Sequence, residues 1–249
     1  MRVRGEFPRA GSMQFIPSDL VDQARTREAF ATTEDPLVLG VDVSRFGDDE
    51  SVICARRGMD ARSIPWKILR GANTMTIAAV VAEMHDQYQF DAIFVDGGGV
   101  GGGVVDRLMQ LRLPVIEVQF GSTADRGQKT FEGTVVYANK SAEMWGNMRD
   151  ALRRLAIPDD PDLAAQLTGR EYSYTMREGK DAIQLEKKAD MKKRGLSSPD
   201  RADGLALTFS YPVAKSDHSN AIKGGGSIKV NYNPLSMDYI ERDIYKPGH

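Results

Sequence analysis

One cysteine among 249 residues, Cys54, excludes an internal disulfide. The three histidines, His85, His218 and His249, stand in no metal-ligand spacing with it or with each other, so a zinc site is not indicated. Charge of one sign is also lacking. A net charge of −2 gives no global pull toward nucleic acid, so any such partner must be met by local patches. No apolar run approaches the roughly 18 residues of a membrane span, and the start MRVRGEFPRAGSM has no signal-peptide core. The expectation is an intracellular soluble protein, with 41% hydrophobic and 27% charged residues giving ample material for a core.

Glycine, by contrast, is concentrated. In AIFVDGGGVGGGVVDRL, six glycines surround Val100 directly after an apolar run that ends in Asp96. Gly97, Gly99 and Gly102 satisfy G-x-G-x-x-G, and Glu117 lies where a ribose-binding acid would belong. A dinucleotide site, however, needs the glycine strand to come first in a doubly wound sheet. Here a hairpin precedes it and no second mononucleotide unit follows. An ATP site of the actin and sugar-kinase type would need two halves like GVDVSRFGDDES, and the chain has one.

Three regions are expected: a linker or docking arm over 1–35, a compact domain over 36–212, and a Gly, Ser, Asn and Lys rich tail over 213–249. LVLGVDV reads as a strand buried on both faces, followed by SVICARR and IPWKILR. TIAAVVAEMHDQY places Ile77, Val80, Val81, Met84 and Tyr88 on one helical stripe. Strand AIFVD, a short helix VVDRLMQLRL, strand PVIEV and a helix carrying Trp145, Met148, Leu152 and Leu155 on its buried face come next. EYSYTMREGKDAIQLEKK reads as a second hairpin. A last helix starts at SSPDRADGLALTF, with Ser198 as cap and Pro199 in the first turn.

Asp42 sits inside an apolar strand and Asp96 ends another, which is unfavourable unless a cation or strong hydrogen bonds compensate. If the two strands are neighbours, both carboxylates face one small volume. Hard cations that take oxygen ligands resolve that repulsion. The last helix offers Asp200 and Asp203, three residues apart on one face. Asp203 is the expected third ligand, because Asp200 is already accounted for by the helix dipole. Two divalent ions about 3.5–4 Å apart, Mg²⁺ or Mn²⁺, would then serve an in-line displacement at phosphorus. The glycines let backbone pass close to Asp96 and start a helix without crowding it.

The motifs GVDVSRFGDDES, FVDGGGVGGGVVDRL and SSPDRADGLALTF, in this order, resemble the nuclease domain of the large terminase subunit of tailed bacteriophages. The likeness covers about 36–212, and VRGEFP and QFIP resemble the segment joining that family's ATPase and nuclease domains. It implies an α/β fold of ribonuclease H-like type, a mixed sheet with an antiparallel three-strand start, then parallel strands, flanking helices and an added β-hairpin. It implies a metal-dependent endonuclease cutting concematameric viral double-stranded DNA in the cytoplasm of the infected host, with Asp42, Asp96 and Asp203 matching the acidic triad. The portal and the small terminase subunit are implied partners. No G-x-x-x-x-G-K-[ST] occurs, so the ATPase domain is expected to be missing from this chain.

Other charged and aromatic residues carry weaker expectations. Lys187, Lys188, Lys192, Lys193 and Arg194 in KKADMKKRG are candidates for contacts with DNA phosphates, as are, less strongly, Arg153 and Arg154. Asp48 and Asp49 read as hairpin-turn residues, Tyr172 and Tyr174 as packed, Trp145 and Cys54 as core, and His85 as a helix residue without an assigned partner. The competing functions are a non-catalytic DNA-binding or portal-docking module, and a resolvase or transposase on the same fold.

Overall fold

The computed structural model describes residues 13–44, 49–125, 129–130, 133–134, 136–177 and 179–216. Asp48, the VRGEFP segment and the tail past 216 lie outside the described residues. Five strands form the central sheet: β1 (Leu37–Asp42), β2 (Glu50–Arg57), β3 (Lys67–Arg70), β4 (Ala92–Asp96) and β5 (Val115–Val118). Their spatial order is β3-β2-β1-β4-β5. The three strands at the start of the chain pair antiparallel, and β4 and β5 then add in parallel to β1. This is the expected mixed sheet, and it is incompatible with a doubly wound dinucleotide fold, whose first strand would carry the glycine loop.

Seven helices are described: α1 (Ser18–Thr26), α2 (Thr74–Tyr88), α3 (Gly101–Gln110), α4 (Lys140–Ala151), α5 (Pro161–Gly169), α6 (Lys188–Lys193) and α7 (Asp200–Leu207). Strands β6 (Lys129–Thr130) and β7 (Gly133–Thr134) form a small pair. β9 (Tyr172–Arg177) and β10 (Lys180–Leu185) make the second hairpin, extended by β8 (Val136–Tyr137) lying parallel to β10. None of the described helices is long and apolar enough to cross a membrane.

Two helices differ from the sequence expectation. α5 was not anticipated, although Asp160 caps it by accepting from the N–H groups of Asp162 and Leu163, and Pro161 occupies its first turn. KKADMKKRG, to which no helix was assigned, contains α6. Ser198 does not cap α7 by a hydrogen bond; its hydroxyl donates instead to the Asp200 carboxylate.

β1 is buried along its whole length because both faces of the sheet are covered. Leu37, Leu39 and Val41 join Ile53, Ile93 and Val95 beneath α2 and α3. Val38 joins Val52, Cys54 and Phe94 in the other layer, with Trp145 and Met148 of α4, Leu163 and Leu167 of α5, and Leu205 of α7. From the segment expected as a linker or docking arm, Phe15, Ile16, Val21 and Ala24 enter this second layer. Successive strand residues alternate faces, so Gly40 and Asp42 share the side of Val38 and face α7.

Gly40 sets how close α7 can come. A methyl group on its Cα would lie 2.2 Å from the Gly204 carbonyl oxygen, so helix and strand backbones are in direct contact here. Both ends of α7 are tied to β2 as well. Asp200 accepts the Glu50 N–H at 3.0 Å, and the half-buried Arg56 guanidinium donates to the Thr208 carbonyl at 2.6 Å and to its hydroxyl at 2.9 Å. Burial lowers the Arg56 pKa only to about 10, so it remains a cation at the negative end of the helix.

The two glycines should respond differently to alanine. Gly40→Ala is expected to lose about 3 kcal/mol in urea unfolding, the upper range for overpacking, because the obstacle is backbone. Gly204→Ala, whose methyl meets the Val52 side chain at 3.1 Å and 3.3 Å and its backbone at no less than 3.7 Å, gains helix propensity and should stay within about 1 kcal/mol of the parent. Equal losses would show that the close approach at Gly40 is not limiting.

Candidate active site

The site lies at the carboxyl ends of β1 and β4. Their register pairs Val41 with Val95, so the next step along the strands brings Asp42 beside Asp96. Asp96 shares its face with Phe94, and both carboxylates therefore point toward α7. The glycine run after Asp96 makes this possible. A methyl on Gly101 would sit 1.7 Å from the Asp96 carbonyl oxygen, so α3 can start tight against the strand end only with glycine there. Gly99 adopts φ +58°, the left-handed region that favours glycine, and Gly98 donates its N–H to Asp96 Oδ1 at 2.9 Å. Glu117 packs against Gly97 on the opposite face of the sheet from Asp96, which places it under the loop and outside the acidic cluster.

Asp203 approaches from α7, one residue before the glycine that touches β1. It is fully buried, and its Oδ1 accepts from the Trp145 indole N–H at 2.8 Å and from Arg170 at 3.1 Å. Asp200 is committed otherwise, to the Glu50 N–H and the Ser198 hydroxyl.

The centre of the cluster is filled by a residue that the sequence reading assigned to DNA. Lys188 Nζ stands 2.8 Å from Asp203 Oδ2, 3.4 Å from Asp200 Oδ1 and 3.6 Å from Asp42 Oδ2. Although 38% of its side chain faces solvent, its ammonium is turned inward, and the surrounding carboxylates raise its pKa against the opposing effect of burial. Its neighbours remain at the surface in other pairings. Lys192 binds Asp49, Lys193 binds Asp190, and Arg194 binds Glu186 and Glu171, while Lys187 is exposed at the start of α6. Arg153 and Arg154 are exposed in the turn after α4.

The acids do not share the charge equally. Burial pushes the Asp42 carboxyl well above its ordinary range, and Asp203, Asp200 and Asp96 push it further, with Lys188 opposing. Among the described residues no group donates a hydrogen bond to it. Burial also raises Asp96, against the Gly98 N–H and Lys188. Asp203 is buried too, but Lys188 and Arg170 together hold it below the ordinary value.

Among the described residues, no three acidic, histidine or cysteine side chains stand close enough together to hold a metal ion as they are. The donor chemistry nevertheless fits a hard cation: carboxylate oxygens gather about one positive centre, and Asp203 Oδ2 accepts no well-aligned hydrogen bond, its contact being the Lys188 ion pair. Lys188 fills the space between these carboxylate oxygens.

Other expectations resolve simply. Cys54 is fully buried and burial raises its thiol pKa, which fits packing and not nucleophilic chemistry. His85 accepts the Phe90 N–H on Nδ1. Tyr172 packs edge-on against Phe15, but Tyr174 on the outer strand of the hairpin is 60% exposed, contrary to the packed position expected.

The sheet order, the flanking helices and acids at the ends of β1 and β4 define a ribonuclease H-like α/β fold. Sequence comparison finds no match, either to a family model or to a curated protein. Structural comparison finds nuclease domains of phage large terminase subunits, so the resemblance read from the sequence holds for the fold. The nuclease domain of the large terminase subunit gp2 of bacterial virus Sf6 superposes with a TM-score of 0.64 at 17% identity, over 80% of this chain and 99% of that one. A lysine-to-alanine variant of that domain, solved with manganese, gives 0.62 at 17% identity over 79% and 99%. The large terminase nuclease of thermophilic phage G20c with bound magnesium gives 0.51 at 16% identity over 72% and 83%.

The opposite pKa directions predict opposite stability effects without metal. A raised folded-state pKa means that the folded chain holds the proton more tightly, so Asp42 weakens the fold as pH climbs from about 4 through its raised value. Asp42→Asn should therefore raise the thermal midpoint by a few degrees at neutral pH, a gain that shrinks on acidification. The lowered Asp203 contributes stability above the ordinary carboxylate range that is lost as pH falls through its folded value. Asp203→Asn should lower the midpoint at neutral pH. Scanning calorimetry across pH checks both signs.

Proposed function

We propose that this chain is a metal-dependent endonuclease that cuts concatemeric viral double-stranded DNA during genome packaging. The observation that carries the reading is the convergence of Asp42, Asp200 and Asp203 on the ammonium of Lys188, with Asp96 beside Asp42 at the carboxyl ends of two parallel strands. Metal-bound phage terminase nucleases with the same fold support it.

Asp42, Asp96 and Asp203 would hold two Mg²⁺ or Mn²⁺ ions, with Asp200 at the margin because its oxygens already serve Glu50 and Ser198. When bound, the ions supply an activated water and stabilise the charge of the attacking and leaving oxygens. Asp42 contributes a carboxylate without a competing hydrogen-bond donor among the described residues, and Asp96 one steadied by Gly98. The closely packed α3 start keeps side chains away from the approach to Asp96. Lys188 neutralises the acids, and its ammonium would have to give way for a divalent ion to be held there.

The exposed face of α6, with Lys187, Lys192, Lys193 and Arg194, would receive DNA phosphates. Its existing surface ion pairs are weak enough to exchange for them. The terminase ATPase domain, the portal and the small terminase subunit are the corresponding partners. A second reading, a docking or DNA-binding module without chemistry, draws on the absence of a preformed metal set among the described residues and on the neutralising lysine.

The test is conversion of supercoiled plasmid to open and linear forms with Mn²⁺, Mg²⁺ or EDTA. Cutting by the parent should require metal and fall about 100-fold or more in Asp96→Asn and Asp42→Asn. DNA binding without cutting under either metal would instead establish the docking module. In the same assay, Lys187→Ala with Lys193→Ala should raise KM for DNA and reduce the salt slope by about 1–2, with kcat little changed. An unchanged slope would remove α6 from the DNA path.

A further inference from the structure

Asp203 differs from the other two acids in how it is held. Two donors converge on its Oδ1, the Trp145 indole N–H at 2.8 Å and the Arg170 guanidinium at 3.1 Å. Asp203 and Trp145 are fully buried and Arg170 is 5% exposed. The donors also hold each other. The guanidinium carbon lies 4.6 Å from the centre of the Trp145 ring, and Arg170 Nε donates to the Glu186 carbonyl at 3.2 Å. A buried carboxylate serving only the fold would have both oxygens satisfied by fixed groups. Here one oxygen takes two donors on buried residues, and Oδ2 is left facing the ammonium of Lys188, a residue of the surface helix α6, at 2.8 Å.

We propose that Trp145 and Arg170 are positioning residues, which fix Asp203 by Oδ1 so that Oδ2 is presented to the cation at the centre of the acidic cluster. The inference rests on the metal-dependent reading above and assigns a function to two residues which that reading does not use. Outer partners of this kind orient ligands and typically matter about 10–100-fold in metal affinity or turnover. Trp145 therefore does more than fill the core: its ring packs among the helices while its N–H addresses the site.

The experiment uses the full chain and compares the parent with Trp145→Phe, Arg170→Met and Arg170→Lys. Mn²⁺ affinity is measured by titration calorimetry, kcat and KM by plasmid cutting, and folding by thermal midpoint and near-UV circular dichroism. Trp145→Phe, which keeps an aromatic ring under the guanidinium but loses the donor, should bind Mn²⁺ about tenfold more weakly and lose a similar factor in kcat. Its KM for DNA should remain that of the parent. Arg170→Met should fall at least as far, and Arg170→Lys, which retains a charged donor, should lie between it and the parent.

A folded Trp145→Phe with the parent's Mn²⁺ affinity and kcat overturns the proposal. Should Trp145→Phe not fold, Arg170→Met and Arg170→Lys decide, and parent values in either folded protein overturn it. A parent that binds no Mn²⁺ at all overturns the metal-dependent reading and this assignment with it, an outcome seen before any variant is compared.

Discussion

The direct contact of backbone with backbone at Gly40 and Gly204 is the constraint on which the rest of this molecule depends. With no side chain between them, α7 settles onto β1 at a distance that ordinary residues would forbid. Asp42 follows Gly40 by two residues on the same face, and Asp203 immediately precedes Gly204. The approach of the two acids is therefore a consequence of the side chain missing at Gly40. Asp200 on the Glu50 N–H and Arg56 on the Thr208 carbonyl prevent the helix from sliding or lifting at either end.

Bringing like charges together in a buried place would be untenable without compensation. The structure compensates in two ways. Asp203 has a permanent counter-charge in Arg170, which is itself buried and tied to backbone. Among the described residues Asp42 has only Lys188, a long side chain rooted on the surface helix α6. Lys188, which lies closer to Asp203, and Arg170 together hold that carboxyl below its ordinary range, while burial leaves Asp42 above it. This arrangement also separates the fixed part of the site from the exchangeable part.

The sheet and the acids were legible in the sequence because each leaves a local mark. An aspartate inside LVLGVDV contradicts its surroundings, and glycines after AIFVD announce a close approach whatever their purpose. Lys188 was not legible. In KKADMKKRG five positive residues look alike, and only the path of α6 past the ends of the strands turns one of them inward. Trp145 was correctly placed in the core by its helical period, but periodicity describes a ring and says nothing of where its N–H points. Arg170 carries no pattern at all, since its partner lies 33 residues ahead. α5 is a different kind of miss, because the Asp160 cap and Pro161 were present as signals. The choice of Asp203 over Asp200 rested on the helix dipole, whereas the structure occupies Asp200 through the Glu50 N–H and Ser198.

The arm before α1 joins the domain at an informative place. Phe15 donates its N–H to the Arg170 carbonyl, Tyr172 donates to the Met13 carbonyl, and Arg149 lies over the Phe15 ring. The arm thus grips the two peptide units that follow the residue whose guanidinium steadies Asp203. Tension arriving along the chain toward residue 13 would be borne first by these bonds, and so by the mounting of the third carboxylate. Grip and acidic cluster are, mechanically, in series.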